Sequence, residues 1–336
     1  MRPADVHDAC HLAQVNIGTM RAPTDDPAVS EFMDNLDQIN AKADAAPGFV
    51  WRMQTAEGDA SSIRAFPNPL ELVNMSVWQS VETLRDYVYR SDHVDFFRRR
   101  ADWFEADAKR VALWWIPAGV VPDLVDAVHR VEFLERHGPS PYAFGFARAD
   151  RPLIIEDTTP DEPHTLDLVG RLNAELTALA DDPCENHFSL TNAETTGNNG
   201  RMIRARYDGR LVGCGAVRRI EPTIGELKRM FVDESSRGLK IGAALLDRLE
   251  VVAARLGLAE LRLETSARQP AAIALYEGAG FTPCDPWGEY LATATTSRCY
   301  RKALSSTRPP TRGDRERSAT KRARRPPAPV EGFSVA

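Results

Sequence analysis

Several familiar signals are missing from this 336-residue chain. No apolar run approaches the roughly 20 residues that span a bilayer, and the N-terminus lacks the apolar core of a signal peptide. The five cysteines are scattered, odd in number and without Cys-x-x-Cys spacing, so we expect neither structural disulfides nor a zinc site. We therefore expect a cytoplasmic protein without a bound metal.

Two common phosphate-binding signatures are absent as well, because the chain contains neither a Walker loop nor a Gly-x-Gly-x-x-Gly fingerprint. The net charge is −6, and residues 305–336 hold eight Lys/Arg against three acids, so the rest of the chain carries −11. An acidic body makes nucleic acid an unexpected main partner, with only the basic tail suited to it. It favours a cationic, amine-bearing substrate.

The most informative stretch runs from residue 224 to residue 281. Glu226 to Val232 is rich in β-formers and predicts a strand, and the polar turn after it offers side-chain oxygens that end strands and begin helices. From Ile241 onward, apolar residues recur at helical spacing and predict one long amphipathic helix.

The start of that helix has the composition of a pyrophosphate-binding site. The first amide N–H groups of a helix have no partner within it, and the helix dipole is positive at that end. Gly238 and Gly242 carry no Cβ, so phosphates can approach the backbone, and Arg237 and Lys240 add positive charge. The alternative is that these glycines serve only the turn.

Three motifs in this half resemble the GNAT N-acetyltransferase superfamily. Arg237 to Gly242 resembles its Gln/Arg-x-x-Gly-x-Gly/Ala signature, although Lys240 stands where the family usually has its first glycine. Glu226 to Val232 looks like the central strand of that family. Leu275 to Phe281 looks like its Leu-Tyr-x-x-x-Gly-Phe corner. The resemblance covers about residues 151–304.

The resemblance implies acetyl-CoA as co-substrate, held partly by the backbone of the central strand and partly by the start of the helix. The residues expected to bind it are Met230, Phe231, Val232, Arg237, Gly238, Leu239, Lys240, Ile241, Gly242, Ala243 and Gln269. Gln269 stands where many members of the family have an asparagine.

The same resemblance implies two catalytic residues. Glu226 lies where members of the family carry a glutamate base, and strand alternation puts it on one face with Lys228 and Met230. Tyr276 takes the position of the tyrosine that protonates the departing thiolate. The alternatives are a salt-bridged structural carboxylate for Glu226 and an aromatic core contact for Tyr276.

The N-terminal half predicts a ferredoxin-like α/β sandwich. Residues 11–119 give the order β-α-β-β-α-β, with helices over residues 26–45 and 81–105, and a further helix follows over 121–137. The region resembles a bacterial domain family of unknown function related to the antibiotic-biosynthesis-monooxygenase type of dimeric α/β barrel. The resemblance rests on Phe49 to Arg52, Asn74 to Trp78 and Tyr89 to His93. We expect it to form a homodimer.

Two further features of this half have open interpretations. His93 is either a catalytic or haem-binding group or a helix-capping histidine. The tryptophans either line a pocket for an apolar ring or pack in the core; they are Trp51, Trp78, Trp103, Trp114 and Trp115.

The sequence therefore predicts a mixed α/β protein in two domains. The boundaries are 1–148 for the ferredoxin-like domain, 149–304 for the GNAT domain and 305–336 for a disordered basic tail. The expected activity is transfer of the acetyl group of acetyl-CoA to a primary amine of a small molecule or peptide by direct attack. The alternatives are an acyl-CoA-binding module whose catalysis has lapsed, or an oxygenase or haem activity in the N-terminal domain.

Overall fold

The computed structural model describes residues 9–56, 58–63, 65–90, 99–105, 110–147, 150–180, 189–293 and 295–304. Helices and strands alternate along the chain and build two sheets, so the mixed α/β class is confirmed. His93, the predicted domain boundary at residues 148 and 149, and the tail from residue 305 lie outside these residues.

The first sheet has four antiparallel strands in the order β2-β3-β1-β4. They are β1 (Cys10–Thr19), β2 (Phe49–Arg52), β3 (Glu71–Trp78) and β4 (Arg110–Pro117). Helices α1 (Ser30–Asp34), α2 (Leu36–Asp44) and α3 (Val81–Arg90) connect them in the predicted order β-α-β-β-α-β. A fourth helix, α4 (Leu124–His137), starts at the side-chain cap of Asp123 and ends at Gly138, whose φ is +69°.

Two helix predictions in this half are wrong in extent. The helix expected over 26–45 is broken at Asn35 into α1 and α2. The helix expected over 81–105 does not reach its predicted end, because Phe104 forms an antiparallel bridge with Met20. The buried side chain of Trp103 packs against Phe32 there, and this tertiary contact overrides helical periodicity.

The second sheet has seven strands in the order β10-β11-β9-β8-β7-β6-β5. They are β5 (Leu153–Thr158), β6 (Gly200–Tyr207), β7 (Arg210–Glu221), β8 (Ile224–Val232), β9 (Glu260–Ser266), β10 (Thr282–Pro283) and β11 (Ser297–Ala303). The predicted hairpin at Asp208 and Gly209 is confirmed, and both residues have positive φ.

Three helices cover this second sheet. Helix α5 (Pro163–Leu179) packs Leu168 and Leu172 against one face, beside Phe231. Helices α6 (Ile241–Arg255) and α7 (Pro270–Gly278) lie against the core formed by the other face, which includes Leu227 and Leu263.

The two sheets belong to one compact unit, and α4 joins them. Val131 of α4 lies in the core of the first sheet, whereas Phe133 and the following Tyr142 belong to the core around α6. The Tyr142 hydroxyl donates to Asp247 of α6 at 3.1 Å. Burial raises the pKa of Asp247 to about 6.

None of the helices within the described part of the chain is both long and apolar enough to span a membrane.

The buried Asp247 carboxyl predicts a specific dependence of stability on pH. Its folded pKa lies above the ordinary value of 3.8, so between these two values the folded chain binds a proton that the unfolded chain does not. The free energy of unfolding contributed by this group therefore falls as pH rises from about 4 to about 6. Asp247→Asn keeps an acceptor for Tyr142 and removes the titration.

The measurement is urea unfolding of both proteins at pH 4 and pH 7. From pH 4 to pH 7, we expect the free energy of unfolding of the variant to rise relative to that of the wild type by up to about 3 kcal/mol. An unchanged difference would show that Asp247 is ionised at no cost in the fold.

Candidate active site

Strands β8 and β9 separate at the centre of the second sheet. They pair in parallel only from Ile224 and Glu260 to Leu227 and Leu263, although β8 continues to Val232. On its other side β8 stays paired with β7 to its end. Beyond Leu227, the edge of β8 that faces β9 has no strand partner in the described residues, so its main-chain groups are available to a ligand.

A β-bulge in β8 lies beside this opening. The register with β7 shifts between Cys214 and Ala216, and Arg229 takes a φ of +59°. The bulge corrects one expectation, since Met230 does not share a face with Glu226. Met230 packs into the core with Leu249, where its sulfur comes close to Gly215.

The turn between β8 and α6 ends in left-handed backbone. Gly238 has a φ of +81° and Lys240 one of +62°, and Lys240 is the N-cap of α6 without a side-chain hydrogen bond to the helix. The first amide bonded back into the turn is that of Ala244, to the Lys240 carbonyl at 3.0 Å. The amides of residues 241–243 therefore open the helix without intrahelical partners.

The left-handed Lys240 explains why glycine is common at this position in the family that the sequence resembles. A residue with a Cβ occupies this region at a cost of about 1 kcal/mol or more, whereas glycine enters it freely. Lys240 holds the conformation with its own side chain, whose ammonium donates to the carbonyls of His137 and Pro139.

The two cations expected at the phosphate site are thus already engaged. Lys240 reaches back to the end of α4. The guanidinium of Arg237 binds the Glu175 carboxylate at 2.7 Å and the Val232 carbonyl at 3.0 Å. In this structure the Lys240 ammonium is directed to α4, and its contact with a phosphate stays a prediction. Backbone amides, rather than free side-chain charges, are what this turn offers to an anion.

The remaining predicted coenzyme residues fall into two groups. Phe231 and Ile241 are buried, and Val232, Leu239 and Ala243 pack partly against the core. They shape the site through their backbone. Gly242 is different, because a Cβ there would meet Leu275 and Val232 at ordinary contact distances of 3.5 and 3.7 Å.

Gln269 caps the start of α7 at the far side of the opening. Its side-chain oxygen accepts from the Thr265 hydroxyl at 2.9 Å, which ties the end of β9 to the helix. In this arrangement the Gln269 side chain positions the loop between β9 and α7.

Glu226 is fully buried and both of its carboxylate oxygens are occupied. Arg218 donates to one oxygen at 2.6 Å, and the Tyr290 hydroxyl donates to the other at 2.5 Å. Arg218 also binds Glu194 at 2.6 Å, and Lys228 binds Glu289 at 2.9 Å. Glu226 therefore has the geometry of a salt-bridged structural carboxylate, which was the alternative to a catalytic base.

A second carboxylate, Glu264, lies where the strands separate. It is the first residue of β9 beyond the paired segment, and it is half-buried. Burial raises its pKa, and the neighbouring Glu226 and Glu289 raise it further against the opposing effects of Ser297 and Lys228. The Ser297 hydroxyl donates to one oxygen at 2.7 Å. Sequence reasoning missed this residue.

Tyr276 is buried at the same opening. It packs against Phe281 with ring centroids 6.0 Å apart, so the predicted core contact is present. Burial raises the pKa of its hydroxyl, and the charge of Glu264 raises it further. Glu264 and Tyr276 are thus electrostatically coupled, and the Tyr276 hydroxyl stays protonated at neutral pH.

Arg218 and Glu264 were detectable from pairing rules. The turn at residues 222 and 223 makes Arg218 the hairpin partner of Glu226, and the parallel register brings Glu264 next to Lys228. Glu194, Glu289 and Tyr290 come from irregular segments far away in sequence, and no local pattern marks them.

The left-handed turn predicts opposite effects of one substitution at two glycines. Gly238→Ala adds a Cβ at a φ of +81° in open space, so only backbone strain counts, and we expect a loss of about 1 kcal/mol in the free energy of unfolding. Gly242→Ala adds the same atom within a helix, where it is at worst neutral. Chemical denaturation measures both, and equal losses would contradict the assigned backbone geometry.

Comparison with known proteins finds a match in each half of the chain. Residues 169–281 match the family described as "Acetyltransferase (GNAT) family", and residues 11–157 match a domain of unknown function, DUF3291. The chain is 40% identical over 127 residues to an IAA acetyltransferase of Azospirillum brasilense, covering 37% of this chain and 83% of that protein.

Two further similarities involve the same region. An uncharacterised N-acetyltransferase of Schizosaccharomyces pombe is 34% identical over 91 residues, covering 26% of this chain and 56% of that protein. A GNAT family acetyltransferase from Elizabethkingia anophelis, solved with acetyl-CoA bound, is 18% identical, covering 45% of this chain and 98% of that one at a TM-score of 0.33. On the family match and the Azospirillum relative, this chain belongs to the GNAT acetyltransferases and is an acyltransferase.

Proposed function

We propose that this acyltransferase moves the acetyl group of acetyl-CoA to a primary amine of a small molecule or peptide by direct attack. The observation that carries the proposal is the uncapped start of α6, next to the point where β8 and β9 separate. Main-chain amides at a helix start suit a pyrophosphate, and the unpaired edge of β8 suits the amide-containing pantetheine arm.

The residues predicted to bind the coenzyme form two groups, one for the pantetheine arm and one for the pyrophosphate. Backbone groups of Met230 to Val232 would bind the pantetheine arm, and a backbone amide there would polarise the thioester carbonyl. The backbone of residues 237–243 would hold the pyrophosphate. Acetyl-CoA supplies the activated thioester; the chain supplies position and proton transfer.

The charges on the acceptor side favour a cationic substrate. Four carboxylates, Glu194, Glu226, Glu264 and Glu289, lie with three cations, Arg218, Lys228 and Arg229. The excess of negative charge raises the local concentration of ammonium groups. One of these carboxylates must then remove a proton, because only the neutral amine attacks.

We assign the removal of that proton to Glu264, and we assign a positioning role to Glu226. Glu226 has no solvent exposure and two strong donors, so its oxygens are not available to a substrate. Glu264 is half-buried, one of its oxygens lacks a partner in the described residues, and its raised pKa brings it nearer to that of an efficient base at neutral pH. Tyr276 would protonate the thiolate of the departing coenzyme.

The test is the steady-state rate over a panel of primary amines with acetyl-CoA, as a function of pH. Glu264→Gln should lower kcat/KM by about 100-fold or more and flatten the fall of rate at low pH, because the titrating base is gone. Tyr276→Phe should lower kcat with little change in KM.

Glu226→Gln serves as the matched control, since it is the same change one strand away. This variant should keep the fall of rate at low pH. It should lose some activity because Arg218 is no longer held in position. If Glu226→Gln removes the fall and Glu264→Gln retains it, the two roles are reversed and the sequence-based assignment of Glu226 as base holds.

Two other outcomes would replace the proposal. Binding of acetyl-CoA without turnover on any amine would favour the lapsed acyl-CoA-binding module. Turnover with IAA, the compound in the name of the Azospirillum relative, but with no amine would contradict the acceptor class. The homodimer and the oxygenase or haem activity expected for the N-terminal half stay predictions.

A further inference from the structure

A large cavity lies in the N-terminal half, away from the separated strands of the acyltransferase site. It has a volume of about 410 Å³ and lies between the first sheet and helices α1, α2 and α3. Protein interiors are close-packed, and voids larger than a water molecule are few. A cavity of this size is within the range of sites for small organic molecules.

The floor of the cavity is a polar strip on the sheet. Gln14 pairs with Ser76 and Asn16 with Asn74 in the β1–β3 ladder, so four hydrogen-bonding side chains share one face. The Gln14 amide donates to Asn74 and to Ser76, both at 2.9 Å. The opposite face of the same strands carries the apolar residues that form the core against α4.

This strip is unusual because it interrupts apolar contacts on its own face. One end of the face carries the cluster with Leu12 and Trp78, and the other carries the cluster with Met20 and Trp103. If apolar side chains continued along this face, they would pack into the space that the cavity occupies. Asn74 is exposed although β3 lies between two other strands, so its side chain meets the open space of the cavity.

Two further side-chain amides line the cavity and have no hydrogen-bond partner among the described residues. Asn40 of α2 is only 9% exposed and lines the cavity from the helix side. Neither its side chain nor that of Asn16 has a hydrogen-bond partner in the described part of the chain. A ligand with donors and acceptors would give both amides hydrogen-bond partners.

The walls of the cavity are rich in aromatic rings. The Trp78 and Tyr87 rings stack at 5.0 Å, and the Phe32 ring contacts Trp103 and Phe104. Both interpretations that the sequence leaves open for the tryptophans apply to Trp78 and Trp103, which pack in core clusters and also line the cavity. Such walls favour flat apolar rings.

The interior holds no free charge among the described residues. Arg52, the buried cation of the lining, is bound to Asp44 at 2.8 Å and to the Gly58 carbonyl at 2.7 Å. The other charged residues of the lining, Arg100 and Glu105, are exposed. An ionised ligand would therefore lose its hydration without gaining a counter-charge.

We propose that the first sheet carries a second small-molecule site, which binds an uncharged ring compound with hydrogen-bonding groups along one edge. The ring packs among Phe32, Trp78 and Tyr87, and the polar edge meets Asn16, Asn40 and Asn74. The site is separate from the acyltransferase chemistry, so it stands whether or not the acceptor is an amine.

The test uses calorimetric titration of the full chain with 1-naphthamide, a neutral ring with an amide edge, and with 1-naphthoate, its charged counterpart. The wild type should bind one naphthamide per chain and should prefer it to naphthoate by about tenfold or more. Asn16→Leu keeps the side-chain volume and removes one unpartnered amide, so it should weaken naphthamide binding by about tenfold.

Two matched variants on α2 locate the bound probe. Ala43 lines the cavity and Ala41 is exposed on the same helix. Ala43→Phe should fill the space and abolish binding, and Ala41→Phe should leave it unchanged. Binding that is no tighter than millimolar, that Ala43→Phe does not affect, or that favours naphthoate would overturn the proposal.

Discussion

The separation of β8 from β9 after Leu227 is the constraint on which the candidate active site depends. While the strands pair, their main-chain groups satisfy one another; once they separate, those groups need another partner. The bulge at Arg229 lies within the unpaired edge, and the left-handed Lys240 follows it at the start of α6. Together they direct the start of α6 and the edge of β8 to one place.

Sequence reasoning located this place but not all of its chemistry. Period-3.6 spacing from Ile241 and the glycines before it predicted the helix and its start, because both are local signals. Strand alternation failed at Met230, since a bulge shifts the faces and leaves no mark in composition. The surroundings of Glu264 depend on pairing between segments about 40 residues apart, and the carbonyl partners of Lys240 lie at the end of α4, so no local pattern marks either.

The same α4 makes the two sheets one unit. Val131 of α4 packs in the first core, and Phe133 of α4 and Tyr142 just after it pack in the second, so the helix that ends the N-terminal half also supports α6. Lys240 strengthens this connection by binding carbonyls at the end of α4.

Amide hydrogen exchange with and without acetyl-CoA shows whether the start of α6 and the edge of β8 bind the coenzyme. We expect saturating acetyl-CoA to slow exchange at residues 237–243 and along Met230 to Val232, because those amides gain phosphate and pantetheine partners. Exchange at α2, beside the N-terminal cavity, should not change. Unaltered exchange at the start of α6 in saturating acetyl-CoA would show that the coenzyme does not bind there.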